Sequence, residues 1–258
     1  MTATTNTLAL TFKSLHRPHH PLILTNIYDA LSAKIIAALP AAAVLATASH
    51  AIAEAAGAHD DDLTLPINLR ATRIIASAIK SSGKPLTVDL QDGYGAQLEH
   101  AIDELLALEN VVGINLEDFD RGADGLFSIS DAVERVRRVL AVAREKGVSD
   151  FVVNARCDVL PHGGSVEEVI ERGKAYLDAG ATTVFVWGGS SRGGLRREEV
   201  VRLVEAFEGR LSVILKLNDG LSVKELSEIG VARISMGPAL QGTAMERIRE
   251  VAMGVYES

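Results

Sequence analysis

The chain has 258 residues, of which 47% are hydrophobic and 23% charged, enough apolar material for a substantial core and too much for general disorder. Its net charge of −8 is not gathered into blocks, and the lack of clustered Lys and Arg disfavours a nucleic-acid partner. The expected partners are small molecules. Cys157 is the single cysteine, so no internal disulfide forms, which fits a reducing compartment.

The opening MTATTNTLALTFKSLHRPHH is polar apart from LALTF, which is too short for a signal-peptide core. Residues 1–20 read as a ragged terminus ahead of one domain spanning 21–258. No window reaches the roughly 20 apolar residues that cross a bilayer, and the closing YES carries no lipidation signal. A soluble, cytoplasmic protein without a membrane partner is expected.

Eight apolar or β-branched runs follow in order: PLILTN, AAVLATAS, KPLTVDL, VVGINLED, DFVVNARCD, ATTVFVWG, LSVILKLN and VARISMG. Between them, Ala71 to Ile79, Val133 to Val142, Val166 to Leu177 and Val200 to Phe207 place apolar residues three and four apart, the spacing of amphipathic helices. Strand and helix alternate, and no Gly-rich dinucleotide fingerprint follows the first strand. This predicts a single-domain α/β fold, a (β/α)8 TIM barrel, over a doubly wound sheet.

A barrel's site lies at the C-terminal strand ends, and alternate residues of a strand face the lumen. By that parity Asp89 and Gln91 share the lumen face of the third run. Asn115 and Glu117 share that of the fourth, and Asn154, Arg156 and Asp158 that of the fifth. Cys157 falls on the helix-facing side, where a cysteine packs as a small hydrophobe.

Several of these runs carry a resemblance: LTNIYDALSA, ATASHAIAEAAGAHDDD, VDLQDGYG, GINLEDF, NARCDV, AYLDAGATTVFVWG and ELSEIGVARISMGPAL. Together they resemble the isocitrate lyase and phosphoenolpyruvate mutase superfamily, in particular its short carboxyphosphonoenolpyruvate phosphonomutase-like members. The resemblance implies a barrel using Mg²⁺, or Mn²⁺, on small 2-oxo or 2-hydroxy carboxylic acids, with a C–C or P–C bond made or broken beside an enolate. A hard cation held by carboxylates suits that oxyanion, and an arginine can clamp the substrate carboxylate.

Carried across by position, the resemblance gives the metal to Asp89, Gln91 and Glu117. Catalysis falls to Asp60, His50 and Arg156, and substrate contacts to Tyr28, Ser49, His50, Asn115, Arg156 and Trp187. Ser49 and His50 would act through backbone N–H groups as much as side chains. The resemblance also implies a homo-oligomer, dimer or tetramer, although the single terminal helix in RIREVAMGVYES leaves little to exchange.

Two departures stand out. The residue two after Asp89 is usually acidic in the superfamily and is Gln91 here, with Asp92 one further on and of the wrong parity. The lyases carry a Lys-Lys-Cys-Gly-His loop after the fourth strand, whereas EDFDRGADGLFSIS has no Cys, Lys or His and reads as a lid or a short solvated loop. Three functions follow: C–C cleavage or formation through an enolate, P–C chemistry of the mutase or phosphonopyruvate hydrolase kind, or a metabolite-binding barrel without catalysis. Each residue also has a structural reading. Asp89 and Glu117 could cap strand ends, Arg156 could pair with Asp158, and Asp60 belongs to a run of three acids. His50 and His59 could be ordinary loop histidines. GGSSRGG reads as a flexible βα loop, since it lacks the Lys-Ser/Thr ending of a phosphate loop.

Overall fold

All eight runs become parallel strands in the computed structural model, which describes residues 2–258. Chain order is α1 (Thr2–Ser14), β1 (Leu22–Leu24), β2 (Asn26–Ile27), α2 (Ala30–Ala37), β3 (Leu45–Thr47), α3 (Ser49–Ala55), α4 (Leu65–Ile79), β4 (Leu86–Asp89), α5 (Leu98–Leu106) and β5 (Val111–Glu117). Two short strands, β6 (Phe119–Asp120) and β7 (Gly125–Leu126), precede α6 (Ile129–Glu145), β8 (Val152–Cys157), α7 (Val166–Asp178) and β9 (Thr183–Val186). The chain finishes with α8 (Arg197–Ala206), β10 (Leu211–Ile214), α9 (Val223–Ile229), β11 (Arg233–Ser235) and α10 (Ala239–Tyr256).

β1 and β2 are two halves of one strand broken at Thr25. The first half pairs with β11 and the second with β3, so the first strand joins the two ends of the sheet into a barrel. Barrel strands are covered on both faces, which is why every residue of β5 is buried. The helices bury one stripe each: in α6, Ala132, Val136, Val139 and Ala143 lie four, three and four apart. Ser128 and Ser165 accept the backbone N–H of Asp131 and Glu168 and thereby set where α6 and α7 begin.

The expectation of a ragged terminus is corrected. Met1 lies outside the described residues, but Thr2–Ser14 is helical, with Ala9 and Phe12 fully buried. Phe12 fits beneath the barrel against Gly113, where an added Cβ would come within 2.7 Å of the ring. Asn6 and Lys13 anchor the same helix to Asp150. The helix therefore floors the lumen, and an apolar spacing of three was its only sequence sign.

Above that floor lies a polar layer of Thr87, Asn115, Asn154, Thr183, Ser212 and Arg233, all buried. The loop after β5 is a short hairpin whose tip, Gly122 to Asp124, is exposed while its arms are partly buried. β6 and β7 pair antiparallel, Phe119 against Leu126, and the Phe119 ring stacks on His162 at 4.1 Å. Cys157 is buried on the helix side, and burial pushes its thiol well above its usual pKa.

Candidate active site

Asp89 ends β4. Its backbone N–H donates to Thr47 Oγ1 at 2.9 Å, and its Oδ2 accepts the backbone N–H of Ser49 at 3.0 Å. The other oxygen, Oδ1, is sealed from solvent and has no hydrogen-bond partner among the described residues. A buried carboxylate oxygen left bare is costly unless something supplies charge or a donor.

Register sets Asp89 beside Asn115 and Glu117 beside Arg156. Glu117 Oε1 accepts from Arg156 Nη1 at 2.8 Å, and Oε2 lies 3.5 Å from Arg121 Nη2. Burial pushes the Glu117 pKa up to about 8. Arg156 opposes that shift, while Asp158 and Asp89 add to it. Burial also works against the charge on Arg156, but Asp158, Glu117 and Asp89 outweigh it and hold the guanidinium more firmly protonated than usual. Arg156 Nε donates to Asp158 Oδ1 at 2.9 Å, and its guanidinium lies 5.1 Å from the centre of the Trp187 ring and 5.6 Å from that of Phe185. Packing on two aromatic faces restricts where the guanidinium can sit.

Gln91 is close to the site but is not placed as parity predicted. β4 stops at Asp89, and Gln91 lies in the following turn with φ of 51°, so the two-residue alternation no longer applies. Its Nε2 donates to the backbone oxygen of Asp60 at 2.8 Å and to Asp60 Oδ1 at 3.0 Å. Here an amide does what a carboxylate could not, since it holds a second acid in place by donating to it. Asp92 is engaged elsewhere: Oδ1 accepts the N–H of Tyr94, and Oδ2 that of Arg121.

Asp60 opens a 3-10 turn, Asp60–Asp62. Arg121 reaches that turn from the β6–β7 loop, through the Asp60 backbone oxygen, Asp60 Oδ2 and Asp61 Oδ1. Since Arg121 also pairs with Glu117, one guanidinium ties the Asp60 turn to the end of β5.

Three of the expected contacts have partners within the protein. His50 is half exposed and pairs along α3 with Glu54 at 3.3 Å, and nothing joins it to Asp89, Glu117 or Arg156 among the described residues. The Ser49 N–H, expected to face a substrate, is given to Asp89. Tyr28 is partly exposed, and its N–H donates to Ser32 in the capping of α2. Sequence reasoning left out Thr183, which bonds Asn154, and Phe185, whose lumen parity could have been read from their strand.

A divalent cation fits the donor set in a limited way. Among the described residues no three His, Cys, Asp or Glu side chains converge. The bare Asp89 Oδ1 and the neighbouring Glu117 nevertheless supply two carboxylates, and Mg²⁺ is commonly held by one or two carboxylates with water and substrate completing its shell. Gln91 spends its NH₂ on Asp60, and its carbonyl Oε1, the atom a cation would take, is not part of those bonds.

Carboxylates and a clamped guanidinium at the strand ends of a parallel barrel fit the isocitrate lyase and phosphoenolpyruvate mutase superfamily, and the likeness to its members places the chain there. More narrowly, residues 12–256 match the family model for phosphoenolpyruvate phosphomutase, and the chain belongs to that family. An uncharacterised protein of Mycobacterium tuberculosis is 30% identical over 234 residues, covering 88% of this chain and 82% of the relative. The 2,3-dimethylmalate lyase of Eubacterium barkeri is 28% identical over 194 residues, covering 70% and 62%. A crystal structure from Burkholderia cenocepacia, described provisionally as a phosphonomutase, superposes with a TM-score of 0.84 at 30% identity, covering 97% of this chain and 99% of that one. The superfamily comprises lyases, mutases and hydrolases acting on small carboxylates.

Proposed function

We propose that this protein is a carbon–carbon lyase that takes a small 2-oxo or 2-hydroxy carboxylic acid through an enolate, with Mg²⁺ or Mn²⁺ as cofactor. Asp89 and Glu117 would hold the cation, which when bound stabilises the enolate oxygen as a Lewis acid. Arg156 binds the substrate carboxylate while resting on Trp187 and Phe185. Asn115 offers its amide to a substrate oxygen. Asp60, held by Gln91 and Arg121, is the first acid–base candidate, and His50, whose exposed ring lies 3.3 Å from Glu54, is the second.

The observation that carries the reading is the sealed, unpartnered Oδ1 of Asp89 within electrostatic reach of Glu117 and Arg156. The likeness to 2,3-dimethylmalate lyase supports C–C chemistry. Titration calorimetry with oxalate, an enolate mimic, tests it: binding is expected with Mg²⁺ and not with the chelator EDTA. Absence of metal-dependent binding would leave a metabolite-binding barrel instead.

The family model is that of a phosphomutase, which favours P–C chemistry as a second reading. Release of phosphate from phosphonopyruvate by the purified protein would put it first. We also take the chain to be a cytoplasmic homo-oligomer. Supporting assembly, α10 leaves Ile248, Val251, Val255 and Tyr256 exposed; supporting a soluble protein, no helix among the described residues is long and apolar enough to cross a membrane. Sedimentation velocity reads the assembly directly.

A further inference from the structure

Arg233 is 1% exposed and lies in the polar layer under the site, between the Phe12 ring, 5.9 Å from its guanidinium, and Asn115. Burying a guanidinium without a carboxylate partner is expensive. Among the described residues two of its nitrogens, Nε and Nη1, are sealed without partners, and Nη2 makes its only hydrogen bond, 3.0 Å to Asn115 Oδ1. Core packing alone would be served better by an apolar residue, so the position of that one bond is informative.

A guanidinium carries donors and no acceptor. Whatever atom of Asn115 faces it must therefore be the oxygen. The same oxygen accepts from Asn154 Nδ2 at 2.9 Å, and Asn154 Oδ1 accepts from Thr183 Oγ1 at 2.6 Å. Two amides and a hydroxyl could satisfy one another in either direction, because each can donate and accept. The arginine at the end of the chain leaves one direction. It turns the Asn115 oxygen down and its NH₂ up, beside Asp89, its partner in register. Among the described residues nothing accepts from that NH₂, and it is not among the sealed orphan atoms, so the 9% exposure of Asn115 includes the donor end.

We infer that Arg233 is a positioning residue that orients the Asn115 amide, through the Asn115–Asn154–Thr183 chain, so that the barrel mouth receives two N–H donors for an anionic substrate oxygen. The inference rests on the enolate reading above and adds that the Asn115 position presents donors, not an acceptor, to the substrate.

The test uses the whole protein with oxalate and Mg²⁺ as probes, with circular dichroism melts to confirm folding. The Asn115 side-chain NH₂ signals in a ¹H–¹⁵N spectrum are assigned by their loss in Asn115→Asp. In the unmodified protein they should exchange rapidly with solvent and shift on adding oxalate. Arg233→Met should weaken oxalate by roughly tenfold, the size expected for losing one well-placed hydrogen bond, and should split or move the NH₂ pair. Arg233→Lys, which also only donates, should keep affinity within about threefold; an amide held in place merely by packing would not distinguish Met from Lys. Equal binding by Arg233→Met, or an NH₂ pair that ignores oxalate, overturns the inference. Should the unmodified protein fail to bind oxalate, the enolate reading falls, and solvent exchange in the ligand-free protein still decides the orientation: protected NH₂ protons overturn it. Should Arg233→Met fail to fold, folded Arg233→Lys with a lost oxalate shift overturns it, and a retained shift upholds it.

Discussion

Glu117 and Asp118 are adjacent in sequence, yet the end of β5 sends one carboxylate into the barrel mouth and the other outward toward α7. Asp118 is fully served: Oδ1 accepts the Asp158 N–H at 2.8 Å, and Oδ2 accepts the Tyr176 hydroxyl at 2.6 Å with Arg172 at 3.5 Å. Across the strand the accounting is incomplete. Asp89 keeps one bare oxygen, Asp158 another, and Glu117 shares two arginines that are themselves shared. Both clusters are buried and charged, but only the inner one keeps unused capacity. A saturated network supports the fold, while an unsaturated one marks where a ligand would bring what is missing.

Removing the cation of the inner cluster should have the largest effect. Arg156→Ala deletes the substrate clamp, and charge-assisted hydrogen bonds contribute roughly 1.5–3 kcal/mol each. Two such bonds correspond to a loss of about 100-fold or more in oxalate affinity, read by calorimetry. The same change strands Glu117 and Asp158 without their guanidinium, so the urea midpoint should fall as well. Undiminished oxalate binding by folded Arg156→Ala would remove Arg156 from the site.

The contrast sharpens with one substitution on each side. Asp118→Ala breaks a satisfied buried pair and should cost about 3 kcal/mol in urea unfolding. Asp89→Asn should cost less, since its Oδ1 has no partner among the described residues and only its support of the charges on Arg156 and Arg233 is lost. The same variant should lose the Mg²⁺-induced rise in melting temperature. Equal destabilisation by the two would show that the inner carboxylate is structural like the outer one.

How far sequence carried this picture depends on where regular structure ends. The eight runs and their helices were legible because burial on both faces makes barrel strands apolar. Parity worked for Asn115, Glu117, Asn154 and Arg156, which lie inside β5 and β8. It failed at Gln91, beyond the last residue of β4 and in a left-handed turn. It had nothing to say of His50, which sits in the first turn of α3, where each residue advances by about 100° rather than 180°. The helical terminus was hidden for another reason: its partner, the notch at Gly113, lies a hundred positions away, and a glycine inside a strand was the available hint of a close neighbour.

Beneath the inner cluster, His16 gives a pH prediction. Burial, with a contribution from Arg233, lowers its pKa to about 3, and its Nε2 is sealed without a partner. The folded protein therefore resists protonating a group that the unfolded chain protonates near 6.5. Because the folded pKa is depressed, this contribution to stability is present above about 6.5 and is lost as pH falls toward 3. Allowing for the partial exposure of the residue, the slope should be up to about 1 kcal/mol per pH unit. His16→Gln should flatten that part of a urea-midpoint profile between pH 6.5 and 4, and an unchanged slope would place the acid sensitivity elsewhere.

The smallest expected effect is the one that separates geometry from motif. His50 follows Ser49, whose N–H binds Asp89, and so stands one residue from the site in sequence. Its ring, however, is half exposed and paired with Glu54, an exposed contact of the kind that contributes between zero and about 1 kcal/mol. His50→Ala should leave oxalate affinity within twofold and stability nearly unchanged, because what the barrel uses at the start of α3 is a backbone donor that substitution at His50 does not remove. A tenfold loss of oxalate binding would mean that α3 rotates on ligand entry and brings the imidazole into the mouth, and the acid–base role given to Asp60 would then pass to His50.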